Sequence, residues 1–270
     1  MMKLRSQQGM TLIELMIAGV LGLIVAYFIM TIMMNSNRTS MISSGTAQAQ
    51  ENGRFVMSWL QEEVRRAGYT PIVGSDKIAP FAPVCGGATP QANCTYESDA
   101  GWNDNDNLAI QWRFSPESTL ARDRQDCTGV AITLTAEAIL TDVYWLETGN
   151  ADSGYDDVLR CATFLDTGAQ LNAAQTIASG VIGMQVLYGE SMTETADGTT
   201  NVTRYIDAGD VTDWTRVQAV RIAILTRSFA DQTLQQADRS YILMNASPYN
   251  FSDSVARYMQ ISTVALPNMN

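Results

Sequence analysis

Histidine is absent from all 270 residues. Its absence removes the commonest general base, the Ser-His-Asp and Cys-His nucleophile systems, and imidazole metal ligands. No enzymatic activity, cofactor or metal is therefore expected. Cations are scarce as well: 17 Lys and Arg stand against 28 Asp and Glu, for a formal charge of −11. Nucleic acid phosphates are held by clustered Lys and Arg, so no nucleic acid binding is expected of the bulk of the domain. Proline is missing between Met10 and Tyr69, and nothing there interrupts a helix by removing a backbone donor. CxxC is missing too. Cys85, Cys94, Cys127 and Cys161 are too widely spaced for zinc or thioredoxin-like chemistry. Their even number suits two disulfides in an oxidising compartment. Of the three possible pairings, Cys85 with Cys94 and Cys127 with Cys161 is favoured, since it closes one local loop and ties one later excursion together.

What is present begins with an apolar run from Met10 to Met34 behind a short basic leader, Met1 to Gly9, carrying Lys3 and Arg5. About twenty-five residues suffice to cross a bilayer as a helix. The run contains one charge, Glu14. A charged side chain at the centre of a membrane costs roughly 2.5 to 3.5 kcal/mol on insertion scales, so Glu14 calls for a partner or a function. A secretory signal places its cleavage site after the apolar region, and the mature chain loses that region. Here the small residue Gly9 precedes the run, so a cut at Gly9 removes the leader and keeps the anchor.

The order Gly9-Met10-Thr11-Leu12-Ile13-Glu14-Leu15 resembles the type IV prepilin signature. The resemblance implies that prepilin peptidase cuts between Gly9 and Met10 on the cytoplasmic face and methylates the new amino group of Met10. Phe is usual at that position, and Met is a common departure among minor pilins. Glu14 becomes the fifth residue of the mature chain, which the family uses to contact the N-terminal amine of a neighbouring subunit. Lys3 and Arg5 before the anchor, against Arg38 after it, give a weak positive-inside signal. The cysteines decide the orientation: they belong outside the cytoplasm, so the leader faces in.

Beyond Met34 the composition turns polar, yet Met41, Ile42, Gly45, Ala49, Val56, Trp59, Leu60, Val64 and Ala67 keep steps of three and four. Such a stripe predicts that the helix continues with one buried face. Asn52-Gly53 interrupts it at a propensity cost of about 1 kcal/mol for the Gly, which marks a place to bend. Gly68 is the expected C-terminal cap, after Arg65 and Arg66 and shortly before Pro71. The expected divisions are a leader over 1–9, a helix over 10–68 that is transmembrane to 34 and amphipathic from 35, and a β-rich domain over 69–270.

From Tyr69 to Asn107 the Gly, Pro, Ala and Asn content predicts a long loop holding Cys85 and Cys94. Loops that long in a compact domain are commonly functional. Period-two alternation then predicts strands at Leu108–Phe114, Val130–Leu134, Val143–Leu146, Val158–Phe164, Val181–Tyr188, Val217–Leu225, Tyr241–Met244 and Tyr258–Leu266. Ile182, Met184, Val186 and Tyr188 are expected to share one face. The layout is α+β, antiparallel sheet with one face on the helix.

Three further segments are similar to minor pilins of the PilW family: Arg66-Ala-Gly-Tyr69, Val181 to Gly189, and Val217 to Ser228. The closing Gln260-Ile-Ser-Thr-Val-Ala-Leu266 is similar too, although residues around Tyr258 and Pro267 depart from the basic pattern of that family. The resemblance implies a type IV pilin-like fold and a minor pilin that primes pilus assembly and enters the filament, supporting twitching motility, adhesion or DNA uptake. Its implied partners are prepilin peptidase, other minor pilins, the major pilin and the inner membrane. The C-terminal domain would be periplasmic, and later extracellular on the pilus. A minor pseudopilin of type II secretion shares leader and helix, but the PilW-like strands argue against it. A third reading is a membrane-anchored periplasmic binding protein or adhesin working through the 69–107 loop.

Other residues with ligand chemistry are sparse. Glu194, Asp197 and Asn201, or Asp104 with Asp106, offer oxygen ligands to calcium, but too few carboxylates stand at close spacing. Adjacent Asp156 and Asp157 point opposite ways on an extended chain and do not form an acid–base pair. Trp112 and Trp145 lie on alternating strands and are expected in the core, while Trp102 stands in the polar loop.

Overall fold

A computed structural model describes residues 10–72, 74, 76–84, 93–98, 105–147, 149, 157–192, 201–229 and 236–269. One long helix, α1 (Leu12–Val64), is followed by ten strands. α1 runs through two compact units, residues 1–44 and 45–270. In the first unit every residue from Met10 to Met41 is exposed, and the segment is long and apolar enough to cross a membrane. In the second, α1 buries Gly45, Ala49, Gly53, Val56, Met57, Leu60, Glu63 and Val64. These are again steps of three and four, the signature of a helix with one packed face.

The helix does not break at Asn52-Gly53. The Asn52 amide donates to the Ser179 carbonyl at 2.8 Å, and a Cβ on Gly53 would lie 3.0 Å from the Thr226 hydroxyl. The pair that reads as a bend is thus a close helix–strand contact. Thr226 adds a hydrogen bond to the Ala49 carbonyl at 2.8 Å. α1 ends at Val64, a turn before the expected Gly68, because its last amides tighten: Arg66 donates to Glu63 and Ala67 to Val64, three residues back. Gly68 follows with φ of +72°, and its amide leaves the helix for the Gln111 carbonyl.

The first sheet is an antiparallel meander of β1 (Leu108–Phe114), β2 (Ala138–Glu147), β3 (Val158–Leu165) and β4 (Gln175–Ser179) in that spatial order. The second has the order β10-β7-β5-β6, built from β5 (Val181–Glu190), β6 (Arg204–Ile206), β7 (Val217–Arg227) and β10 (Arg257–Ala265). A small third sheet pairs β8 (Ala237–Tyr241) with β9 (Tyr249–Asp253). The architecture is therefore α+β, one long N-terminal helix with antiparallel sheets.

The principal core lies where α1 meets both large sheets. Val56, Met57, Leu60 and Val64 pack with Leu108, Ile110, Tyr144 and Leu159 of the first sheet, and with Met184, Val186, Tyr188, Val220, Ile222 and Ile224 of the second. Fully burying side chains of this size contributes about 1.5 to 3 kcal/mol each. Trp112 and Trp145 are both buried, in separate clusters on the first sheet.

The structure corrects several sequence expectations. Val130–Leu134 is not a strand: the Val130 amide donates to the Asp126 carboxylate at 2.9 Å, and the Ile132 amide donates to the Arg124 carbonyl. Local side-chain bonding there competes with the sheet ladder. Ile182 does not share a face with Met184, because a bulge between Val181 and Gly183 turns it into the cluster with Leu225, Leu243 and Tyr249. The strand expected at Tyr241–Met244 is β8, ending at Tyr241, and Met244 follows with φ of 52°.

Candidate functional site

The start of α1 is closed by a reciprocal capping box. The Thr11 hydroxyl accepts from the Glu14 amide at 3.3 Å, while the Glu14 carboxylate accepts from the Thr11 amide and hydroxyl, both at 3.0 Å. Each side chain thus satisfies a backbone donor that a helix N-terminus leaves open, and the anion sits at the positive end of the helix dipole. The carboxylate that reads as isolated in the sequence has a partner within its own chain. Thr-x-x-Glu was the available signal. Met10, 72 % exposed, stands just before this box, and Gly9 lies outside the described residues.

From Leu12 to Met34 the side chains have no cover within the chain: Leu15, Phe28 and Met33 are more than half exposed, and nothing lies within 4 Å of a Cβ placed on Gly19 or Gly22. Thr31 returns its hydroxyl to the Tyr27 carbonyl at 2.9 Å, so its polar group is satisfied within the helix. A soluble protein rarely leaves so large an apolar surface bare, and such a surface marks a site for lipid or for other chains.

At the other end of α1 a charged cluster joins helix to sheet. Arg66 pairs with Asp142 of β2 at 3.5 Å and lies 3.2 Å over the Trp112 ring. Its Nη2 reaches the Arg122 and Gln125 carbonyls, both at 3.3 Å, while its Nε is buried without a hydrogen bond. Asp142 also accepts from Trp112 Nε1 at 2.8 Å and from the Thr163 hydroxyl, and Arg122 pairs with Glu63. Burial pushes the Glu63 carboxyl up against the pull of Arg122, and pushes Asp142 up against the pull of Arg66. Burial also raises the Tyr144 phenol beside Glu63. The cluster does structural work: each buried charge has an opposite partner, although Arg66 Nε and Glu63 Oε2 are left without a hydrogen bond.

A disulfide secures the segment that covers this cluster. Cys127 is bonded to Cys161 of β3, with 6.3 Å between their Cα atoms, and the Cys127 amide donates to Thr163 at 3.1 Å. The 3-10 turn Ala121–Arg124, which supplies the Arg122 side chain and carbonyl, lies just upstream. Cys94 is disulfide-bonded, and Cys85 lies outside the described residues.

Trp102, Asp104, Asp156, Glu194 and Asp197 also lie outside the described residues. Asp106 is buried and accepts from the Ser98 and Val186 amides, while Asp157 accepts from the Gly149 amide at 2.8 Å. Among the described residues no group of three or more His, Cys, Asp or Glu side chains is placed to hold a metal ion.

No curated protein matches the chain in sequence. Among solved structures, a Type IV-like pilin from Thermus thermophilus is similar, with 13% identity and a TM-score of 0.44 over 82% of this chain and 97% of that one. The family model that matches is PilW, covering residues 143–268, from within β2 to just beyond β10. That region is similar to the PilW family, described as Type IV Pilus-assembly protein W.

Proposed function

We propose that the chain is a minor pilin, not an enzyme, that helps prime type IV pilus assembly and enters the filament. One observation carries the reading: a PilW-matching region shares its chain with a helix that opens Met10-Thr11-Leu12-Ile13-Glu14 and leaves its first apolar turns bare. Prepilin peptidase removes residues 1–9 and methylates Met10. The helix then holds the chain in the inner membrane with its domain in the periplasm, until other minor pilins and the major pilin replace lipid around it.

The capping box gives Glu14 a defined part in that exchange. Thr11 holds the carboxylate while no neighbour is present. A carboxylate has acceptor capacity for about four hydrogen bonds, so it can take a neighbour's amine without releasing Thr11. Twitching motility, adhesion and DNA uptake follow as properties of the assembled pilus.

Deleting the gene and counting surface pili tests the assembly role: loss of most pili is expected. Normal piliation with lost adhesion would instead make the protein an adhesin. In the same cells, Glu14→Ala is expected to allow leader removal but to sharply reduce recovery of the protein in sheared pili. Unchanged recovery would remove Glu14 from assembly.

A further inference from the structure

The edges of the two large sheets are not treated alike. The outer edge of β1 is covered by backbone: Gln111 accepts from Gly68 and donates to the Pro80 carbonyl, and Arg113 donates to the Tyr69 carbonyl. β4 and β6 are short, at 5 and 3 residues. β10 has 9 residues and pairs in unbroken register with β7 along one edge, while among the described residues no strand pairs along its other. From Tyr258 to Ala265 it has no charge and no proline. Folded proteins blunt exposed edges with charges, prolines, bulges or brevity, and β10 uses none of these along that stretch. Met259 and Ile261 are exposed on it, Ile261 by 47%.

Between β10 and α1 lie two shallow cavities. One, of about 430 Å³, includes Glu51, Arg54, Tyr258 and Gln260; the other, of about 310 Å³, includes Gln61, Arg65 and Val264. The Arg54 and Arg65 side chains form no ion pair among the described residues, and Glu51 is the one acid lining either cavity. Two arginines against one acid leave the two cavities together with a net charge of +1, carried at Arg65, on a chain of charge −11.

We propose that the free edge of β10 accepts an extended, acidic segment of a different polypeptide, which adds a strand to the sheet and sets its carboxylates against Arg54 and Arg65. A second copy pairing through its own β10 is the poorer occupant, because β10 brings no carboxylate to either arginine. Arg54 and Arg65 are about 16 Å apart along the helix, a distance that about five strand residues span. The partner's carboxylates therefore belong on one face, at positions four or six apart. The inference does not depend on the filament reading.

The test uses the full chain in detergent micelles and synthetic Thr/Val peptides of about ten residues, long enough to lie along β10. One peptide carries Asp at two positions four apart, and the other carries Lys there. The Asp peptide is expected to bind saturably and at least about tenfold more tightly than the Lys peptide. Ile261→Lys, at an exposed edge position, should weaken Asp-peptide binding by about tenfold, and the Arg54→Glu/Arg65→Glu variant should reverse the preference. Equal binding of the two peptides, or binding indifferent to Ile261→Lys, would overturn the proposal. Self-association of the chain that Ile261→Lys abolishes would overturn it too, by making the occupant a second copy.

Discussion

The first and last stretches of α1 are continuous in backbone and opposite in surroundings. Met10 to Met41 is exposed throughout and, as far as Met34, almost wholly apolar, whereas the more polar stretch from Gly45 to Val64 supplies eight buried positions. Glycine behaves differently in each: nothing lies within 4 Å of a Cβ on Gly19 or Gly22, while Gly53 is pressed against Thr226. Composition alone therefore misleads about which stretch belongs to the protein's own core. A helix packed on its own domain along one side needs only one apolar face, whereas one surrounded by lipid or neighbouring chains is apolar all round.

The strongest way to break this contrast is to unlock the end of the second stretch. Asp142→Ala leaves Arg66 buried without its carboxylate and should cost about 3 to 5 kcal/mol in denaturant unfolding of the 45–270 unit. A loss near zero would mean that the cluster does not join helix to sheet.

A matched pair of truncations sharpens the contrast. Leu60→Ala removes a fully buried side chain and should destabilise the same unit by about 2 to 5 kcal/mol. Leu21→Ala, on an uncovered surface, should leave that unit's stability within about 0.5 kcal/mol. Equal effects would show that both stretches serve one core.

The smallest expected effect is a pH slope. Burial raises the folded Glu63 carboxyl above its ordinary value. Its contribution is therefore greatest below the unfolded pKa and declines as pH rises through the raised folded value. Glu63→Gln should flatten this part of the unfolding-midpoint profile above about pH 4, and Glu14→Gln should not. An unchanged profile in Glu63→Gln would remove Glu63 as its source.

Much of this was legible in the sequence where a pattern is long and local. The apolar run, the 3.6-residue stripe and the alternation of β1, β3, β5 and β7 all carry their own signal. Short strands such as β4, β6 and β9 do not, because their neighbours stabilise them more than their own residues do. One bulge was enough to place Ile182 on the wrong face. The charged cluster was hidden for another reason: Arg66, Arg122 and Asp142 are far apart in the chain, and only the meander and the Cys127–Cys161 bond bring them together. The capping box is the reverse case, since both of its side chains lie within one turn of chain as Thr11-x-x-Glu14.

The proposed function requires that the apolar stretch up to Met34 be kept in the mature protein, with Met10 as its first residue. The most direct measurement is the intact mass and N-terminal residue of the chain recovered from membranes of cells with active prepilin peptidase. A mature chain starting at methylated Met10, with the whole apolar stretch retained, is the predicted result. A chain that keeps residues 1–9, or one that starts beyond Met34, would contradict it.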